Sequence, residues 1–232
     1  MRKHIPNAIT CLNLLCGCVG IVLAFRNNLI FASYAIILAA IFDFLDGFIA
    51  RLLHAYSEIG KELDSLADIV SFGVLPSIII YQLFLEAPQL GMLSQYINYS
   101  AFLIAIFSAL RLAKFNIDTR QEDNFLGLPT PANALLIASL PFIVSGENLF
   151  LKNYILNAFF LFIFSFGMSI LLVMEIPLMS LKFKSLNFSE NLYRYILIIL
   201  AVILILIFKF VAVPIVIFLY ILLSIIQFRL VR

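Results

Sequence analysis

Asp43-Phe-Leu-Asp46-Gly47-Phe-Ile-Ala50-Arg51, then eight residues, then Gly60-Lys-Glu-Leu-Asp64-Ser-Leu-Ala-Asp68: this stretch, with long apolar runs on both sides, decides how the chain is read. Asp43 and Asp46 are three apart, so on a helix they share a face. Gly47 and Ala50 continue that face. Gly60, Asp64 and Asp68 step by four and line one face of a second helix. Two helices joined by a short polar turn, which holds His54, can therefore aim all four carboxylates at one point. On insertion scales a single Asp at the centre of a membrane helix costs roughly 2.5–3.5 kcal/mol. Two divalent cations would balance the four charges, and carboxylate oxygen is the ligand of hard cations such as magnesium, manganese or calcium. The bland reading, solvated loop acids or salt-bridge partners, does not account for acids repeating on helical faces beside Gly and Ala.

Outward from this stretch the composition is that of a membrane protein. Of 232 residues 64% are hydrophobic and 12% are charged, far from the globular average. The expected fold is all-α and membrane-integral, one membrane domain over residues 1–232. About eight transmembrane helices are expected, a six-helix catalytic core followed by a C-terminal helix pair at 192–228. The spans are placed at about Ala8–Phe25, Leu29–Leu53, Lys61–Phe84, Tyr96–Phe115, a fifth ending near Val144, Asn153–Met174, Leu192–Phe208 and Ala212–Phe228. The catalytic hairpin, 43–68, joins the second and third. Pro76 predicts a kink or a local loosening of the third. Met1-Arg-Lys-His4 resembles the start of a signal peptide, but no small-residue cleavage site follows cleanly, so the first run is kept as a span. Cys11, Cys16 and Cys18 all lie in that run and read as packing residues.

Charge sets the orientation. With the N-terminus in the cytosol, only Arg26, Lys152 and Lys209 of the 15 Lys and Arg residues fall outside. Arg2, Lys3, Arg51, Lys61, Arg111, Lys114, Arg120, Lys182, Lys184, Arg194, Arg229 and Arg232 fall inside, which places both termini and residues 43–68 at the cytosolic face. A net charge of +2 gives no nucleic-acid footprint.

The pattern Asp-x2-Asp-Gly-x2-Ala-Arg-x8-Gly-x3-Asp-x3-Asp resembles the signature of the CDP-alcohol phosphotransferases, and Asp43 to Asp68 matches it at every defined position. The resemblance implies transfer of a phosphate-linked group from a CDP-alcohol to a second alcohol, with release of CMP. It also implies two divalent cations, Mg2+ or Mn2+, on Asp43, Asp46, Asp64 and Asp68, with Asp68 doubling as the general base. Nucleotide and phosphate contacts are expected from Asn7, Thr10, Gly47, Ala50, Arg51 and Gly60. For Arg51 an anchoring role at a helix end stays open, and for the small residues close helix packing. A homodimer in the cell (inner) membrane is the further expectation. The arm before the first span is short, and the longer interfacial helix of other members is not expected.

Ile69-Val-Ser71-Phe72-Gly73, Arg111-Leu-Ala-Lys114-Phe-Asn116 and Gly127-Leu-Pro-Thr-Pro131-Ala-Asn133 resemble the phosphatidylserine synthase branch. Members making phosphatidylglycerol phosphate usually carry lysine where this chain has Ile69. The resemblance runs from about Ile5 to Asn133 and weakens beyond Phe150. It implies CDP-diacylglycerol and L-serine as substrates, within the membrane lipid. Serine brings a carboxylate, and Arg111 and Lys114, three apart, are its candidate partners. Topological anchoring is their alternative. A different acceptor in the same family, glycerol 3-phosphate or inositol phosphate, is the nearest rival reading. A membrane prenyltransferase would separate its acidic motifs on distant helices, and a cation transporter would place acids at the midplane in broken helices.

Overall fold

The computed structural model describes residues 4–55, 57–88, 96–117, 125–180 and 191–230. Arg2, Lys3, Arg120, Lys182, Lys184 and Arg232, all assigned to the cytosolic side above, lie outside the described residues, as does the side chain of Arg229.

Two helices open the chain, α1 (His4–Phe25) and α2 (Leu29–Leu52). They turn on Asn27, whose φ of 57° is a left-handed conformation that asparagine tolerates. Small residues close their interface: Ala24, Ala32 and Ala39 are fully buried. A Cβ on Gly20 would strike Leu75 and come within 3.0 Å of the Ala35 Cβ. Without a hydrophobic driving force in lipid, such close approach is what holds two membrane helices together.

A single rod of 29 residues, Glu58–Glu86, follows and is the most buried of the spans, at 67%. Its parts are α3 (Glu58–Asp68), a π-helical segment (Ile69–Val74) and α4 (Leu75–Glu86). Ser57 caps α3 by accepting from the Gly60 N–H at 3.1 Å. Of the kink or loosening expected at Pro76, the helix shows a loosening just before it: the Leu75 N–H donates to the Val70 carbonyl, a five-residue step. Pro76 sits in the first turn of α4, where its missing N–H costs little.

A 3-10 turn (Asn98–Phe102) leads into α5 (Leu103–Ile117). After β1 (Phe125–Leu126) comes α6 (Thr130–Val144), then α7 (Leu149–Ile155) and α8 (Ala158–Val173), a pair bent by 66°. β2 (Pro177–Leu178) pairs antiparallel with β1, Phe125 opposite Leu178. Beside this ladder the chain crosses the end of α8. The Gly127 N–H reaches the Ile176 carbonyl at 3.0 Å and the Leu128 N–H the Leu171 carbonyl at 2.9 Å. Gly127 has φ +75°, and a Cβ there would fall 2.5 Å from the Leu172 carbonyl oxygen; only glycine fits. The described chain ends with α9 (Leu192–Phe208), a 3-10 turn (Lys209–Val211) and α10 (Ala212–Leu230).

Among the described residues five helices are long and apolar enough to cross a membrane, six with α7 and α8 taken as one bent span. This makes the chain an integral membrane protein of all-α class. The sequence count of eight also takes the 15-residue α6 as a span and divides 192–228 at Lys209; length and composition alone do not require either step. Cys16 packs against the core, but Cys11 and Cys18 are exposed. The packing role read for the latter two from sequence is corrected: they share the outward stripe of α1 with Leu12, Leu15 and Val22.

Gly17 sets how near α1 lies to the π segment. A Cβ there would stand 2.6 Å from Ser71 Oγ and 3.0 Å from Ser71 Cα. Gly17→Ala is expected to destabilise the protein by about 1–3 kcal/mol through overpacking. Thermal unfolding in detergent reads this as a fall of several degrees in Tm; an unchanged Tm would place the two helices further apart.

Candidate active site

Three elements build the site. Helix α1 turns Asn7, Thr10 and Asn13 inward, each three residues from the last. Helix α2 brings Asp43, Asp46, Gly47 and Ala50; α3 brings Gly60, Asp64 and Asp68. The Asp43, Asp64 and Asp68 side chains each place an oxygen so that all three lie within 4.8 Å of one another. Asp46 stands beside this triad and is held from α1: Thr10 Oγ1 lies 2.5 Å from Asp46 Oδ2 and 3.1 Å from the Pro6 carbonyl. The hydroxyl has one proton, and the shorter, charge-assisted bond to the carboxylate takes it. Asn13 holds Asp68 in the same way, its Nδ2 donating to Asp68 Oδ1 at 3.1 Å. Its backbone carbonyl accepts from Ser71 Oγ at 3.0 Å. Asn13 therefore ties α1 to both sides of the junction between α3 and the π segment.

The triad fits a hard divalent cation. Three carboxylate oxygens at this separation can share one ion of the size that oxygen ligands prefer. Asp68 is buried, Asp64 Oδ1 is buried without a hydrogen-bond partner, and among the described residues no lysine or arginine forms a salt bridge with the triad. Acids so placed repel one another and are stabilised by a cation between them.

Next to the triad a cavity of about 220 Å³ opens between α1, α2 and α3, lined by Asn7, Thr10, Asp46, Gly47, Ala50, Gly60 and Asp64 among others. All the expected nucleotide contacts except Arg51 line it. Arg51 is exposed, its Nη1 close to Gly47. The two glycines answer differently to the packing alternative. A Cβ on Gly60 would meet Ser57 Oγ at 2.9 Å and Asn7 Oδ1 at 3.0 Å, so Gly60 is a packing residue as well as a wall. A Cβ on Gly47 would meet only Arg51 Nη1, at 3.9 Å. Nothing in the protein needs glycine there; the space in front of it belongs to the cavity.

Arg111 and Lys114 separate. Arg111 is buried on α5, its Nε without a hydrogen-bond partner, within electrostatic reach of Asp68 and Tyr220. Lys114 is exposed. One turn on, α5 is fastened to α3: Lys61 Nζ donates to the Asn116 carbonyl at 3.1 Å and Asn116 Nδ2 to Ser65 Oγ at 2.9 Å. Sequence reading missed Asn13, Ser57 and Tyr220. For Asn13 a signal was there, a third polar residue in the Asn7–Thr10 register on an otherwise apolar helix. For Tyr220, in the last apolar run, none was.

The profile of the CDP-alcohol phosphatidyltransferases matches residues 3–174. The chain belongs to this family. As a CDP-alcohol phosphatidyltransferase it carries the family domain from α1 to the end of α8, so α9 and α10 lie beyond the match, and the match runs further than the motifs alone had reached. Among its relatives is a CDP-diacylglycerol–serine O-phosphatidyltransferase of Helicobacter pylori, 39% identical over 134 residues, 57% of this chain and 54% of the relative. A Bacillus subtilis protein of the same name is 38% identical over 141 residues, 60% of this chain and 76% of the relative. An archaetidylserine synthase of Methanothermobacter thermautotrophicus is 37% identical over 141 residues, 58% and 56%. The match thus spans about half the length of the Helicobacter relative.

Proposed function

We propose that this phosphatidyltransferase moves the phosphatidyl group of CDP-diacylglycerol to the hydroxyl of L-serine, giving phosphatidylserine and CMP. The observation that carries the proposal is the meeting of Asp43, Asp64 and Asp68 beside a cavity walled by the small residues of the same motif, in a family whose relatives here include serine phosphatidyltransferases by name.

The serine oxygen attacks the phosphorus that carries the diacylglycerol. The bond from that phosphorus to the bridging pyrophosphate oxygen breaks, and CMP leaves with that oxygen. Asp68 accepts the hydroxyl proton, and Asn13 keeps the carboxylate aimed. Thr10 fixes Asp46 at the wall of the groove. Gly47 and Ala50 leave the nucleotide room, and Arg51 offers a planar donor fork to phosphate. Two divalent cations, Mg2+ or Mn2+, held by Asp43, Asp46, Asp64 and Asp68, would supply electrophilic stabilisation of the pyrophosphate oxygens. Residues 1–232 act as one membrane unit, a homodimer in the cell (inner) membrane. The site and both termini face the cytosol, where serine and CMP are soluble.

Arg111 is the partner of the serine carboxylate, and exposed Lys114 adds positive charge at the approach. A charge-assisted hydrogen bond of about 1.5–3 kcal/mol corresponds to about 10–100-fold in KM. Arg111→Ala is therefore expected to raise the serine KM by about that factor and to leave the KM for lipid nearly unchanged. Lys114→Ala, in solvent, should do much less. The deciding assay follows CMP release by purified protein with CDP-diacylglycerol and, separately, serine, glycerol 3-phosphate and inositol phosphate. Preference for glycerol 3-phosphate would overturn the serine assignment and leave the family chemistry intact.

A further inference from the structure

Helices α5 and α6 carry a second group of buried polar atoms. Ser108 Oγ and Arg111 Nε on α5, and Thr130 Oγ1 with Asn133 Nδ2 and Oδ1 on α6, have no hydrogen-bond partner. All four residues are at least nine-tenths buried, and Ser108, Thr130 and Asn133 have no exposure at all. Native proteins rarely leave such atoms unpaired, because each keeps the full cost of losing water. Here all of them belong to two helices that touch each other. Helices α5 and α6 both pack on the π segment that begins one residue after Asp68. A Cβ on Gly73 would reach the Ser108 Cβ at 3.1 Å. The third side is α10, outside the family match: Tyr220 packs in one cluster with Leu128 and Leu136, which flank Thr130 and Asn133. Its hydroxyl donates to the Met179 carbonyl at 3.0 Å, and its ring end lies near enough to Arg111 for the two groups to interact electrostatically.

The chemistry of the unpaired atoms is mixed. A guanidinium and an amide N–H donate; an amide oxygen and hydroxyls accept. An α-amino acid asks for this combination, since its carboxylate takes donors and its ammonium takes acceptors. A bare phosphate asks for donors alone, and a plain polyol has no anion for the guanidinium to pair. We propose that Asn133 and Thr130 of α6, together with Arg111 of α5, form the pocket that recognises the charged end of an amino-acid acceptor, with Tyr220 of the last helix as its wall. The proposal rests on the serine reading above and names the residues that enforce it. It also gives α10 a part in the site.

The test uses the full-length protein in detergent–lipid micelles, with CMP release as readout. Wild type is assayed first with serine; if serine is not an acceptor, the earlier reading fails and this one with it. If it is, Asn133→Ala is expected to raise the serine KM at least about tenfold. The KM for CDP-diacylglycerol should stay within twofold or so. A serine KM unchanged in Asn133→Ala, with wild-type protein using serine, overturns the proposal alone. Wild-type protein provides a second measurement independent of any variant's folding. L-Alanine, with the same charged end and no hydroxyl, is expected to inhibit competitively against serine, and ethanolamine, without the carboxylate, is not. Inhibition by ethanolamine as strong as by alanine, or none by alanine, would overturn the assignment.

Discussion

Asp64→Ala is expected to lower turnover by about 10³-fold or more, and Asp43→Ala and Asp46→Ala to do the same. EDTA should abolish turnover in wild type, and added Mg2+ or Mn2+ should restore it. Asp43 and Asp64 come from different helices, yet each offers an oxygen within 4.8 Å of the other and of Asp68. Removing either breaks up the carboxylate cluster from one side. A single preorganised group facing developing charge is commonly worth 10²–10³ in rate, and here one substitution disturbs both charge and position. Asp46 lies outside the triad and in the cavity wall; its loss strips the groove of a carboxylate and leaves the Thr10 hydroxyl without it. The check is CMP release at matched protein, with thermal unfolding to confirm that each variant folds. Full activity in metal-free buffer would end the cation hypothesis.

Asp68→Asn tests a different role. The amide keeps the size of the side chain and can still meet Asn13, but it cannot take a proton. If Asp68 is the base, CDP-diacylglycerol still binds while turnover falls by roughly 10²-fold or more. Equilibrium binding of the lipid nucleotide, measured beside turnover, separates the outcomes. Loss of binding as complete as the loss of turnover would make Asp68 chiefly a ligand and send the search for the base elsewhere. Burial of Asp68 against Asn13 and beside Ser71 makes the substitution gentler than alanine, which would leave Asn13 Nδ2 without its acceptor.

Much of this was legible in the sequence, for a simple reason. Spacings of three and four on a helix fix which residues share a face, so the motif dictates that two helices present Asp43, Asp64 and Asp68 together. Spans were legible from apolar length. What could not be read is what depends on a third body. Pro76 announces a disturbance in its helix, but not whether it is a kink or a widened turn. Arg111 and Lys114 look alike three residues apart; only burial of the first tells them apart. Asn13 on α1 and Tyr220 on α10 contribute through contacts 41 residues away or more, and no local pattern carries that distance.

The widened turn at Ile69–Val74 has one more consequence. An α-helix keeps one rotational phase along its length, so any face chosen at one end fixes the faces at the other. An i-to-i−5 turn adds a residue and shifts that phase by about 100°. The rod from Glu58 to Glu86 is thus two instruments tuned separately. Upstream, Gly60, Asp64 and Asp68 keep their spacing of four toward the acids of α2. Downstream, Leu75, Ile78, Ile79, Ile80, Leu83 and Phe84 are all buried, enclosed on every side by other helices. Within the offset, Ser71 turns to α1 and Gly73 to α5. Drift in the apolar half, where methyl groups are traded for methyl groups, is therefore not transmitted as rotation to the carboxylates, and the catalytic half can stay constant while its anchor adapts to a new bilayer.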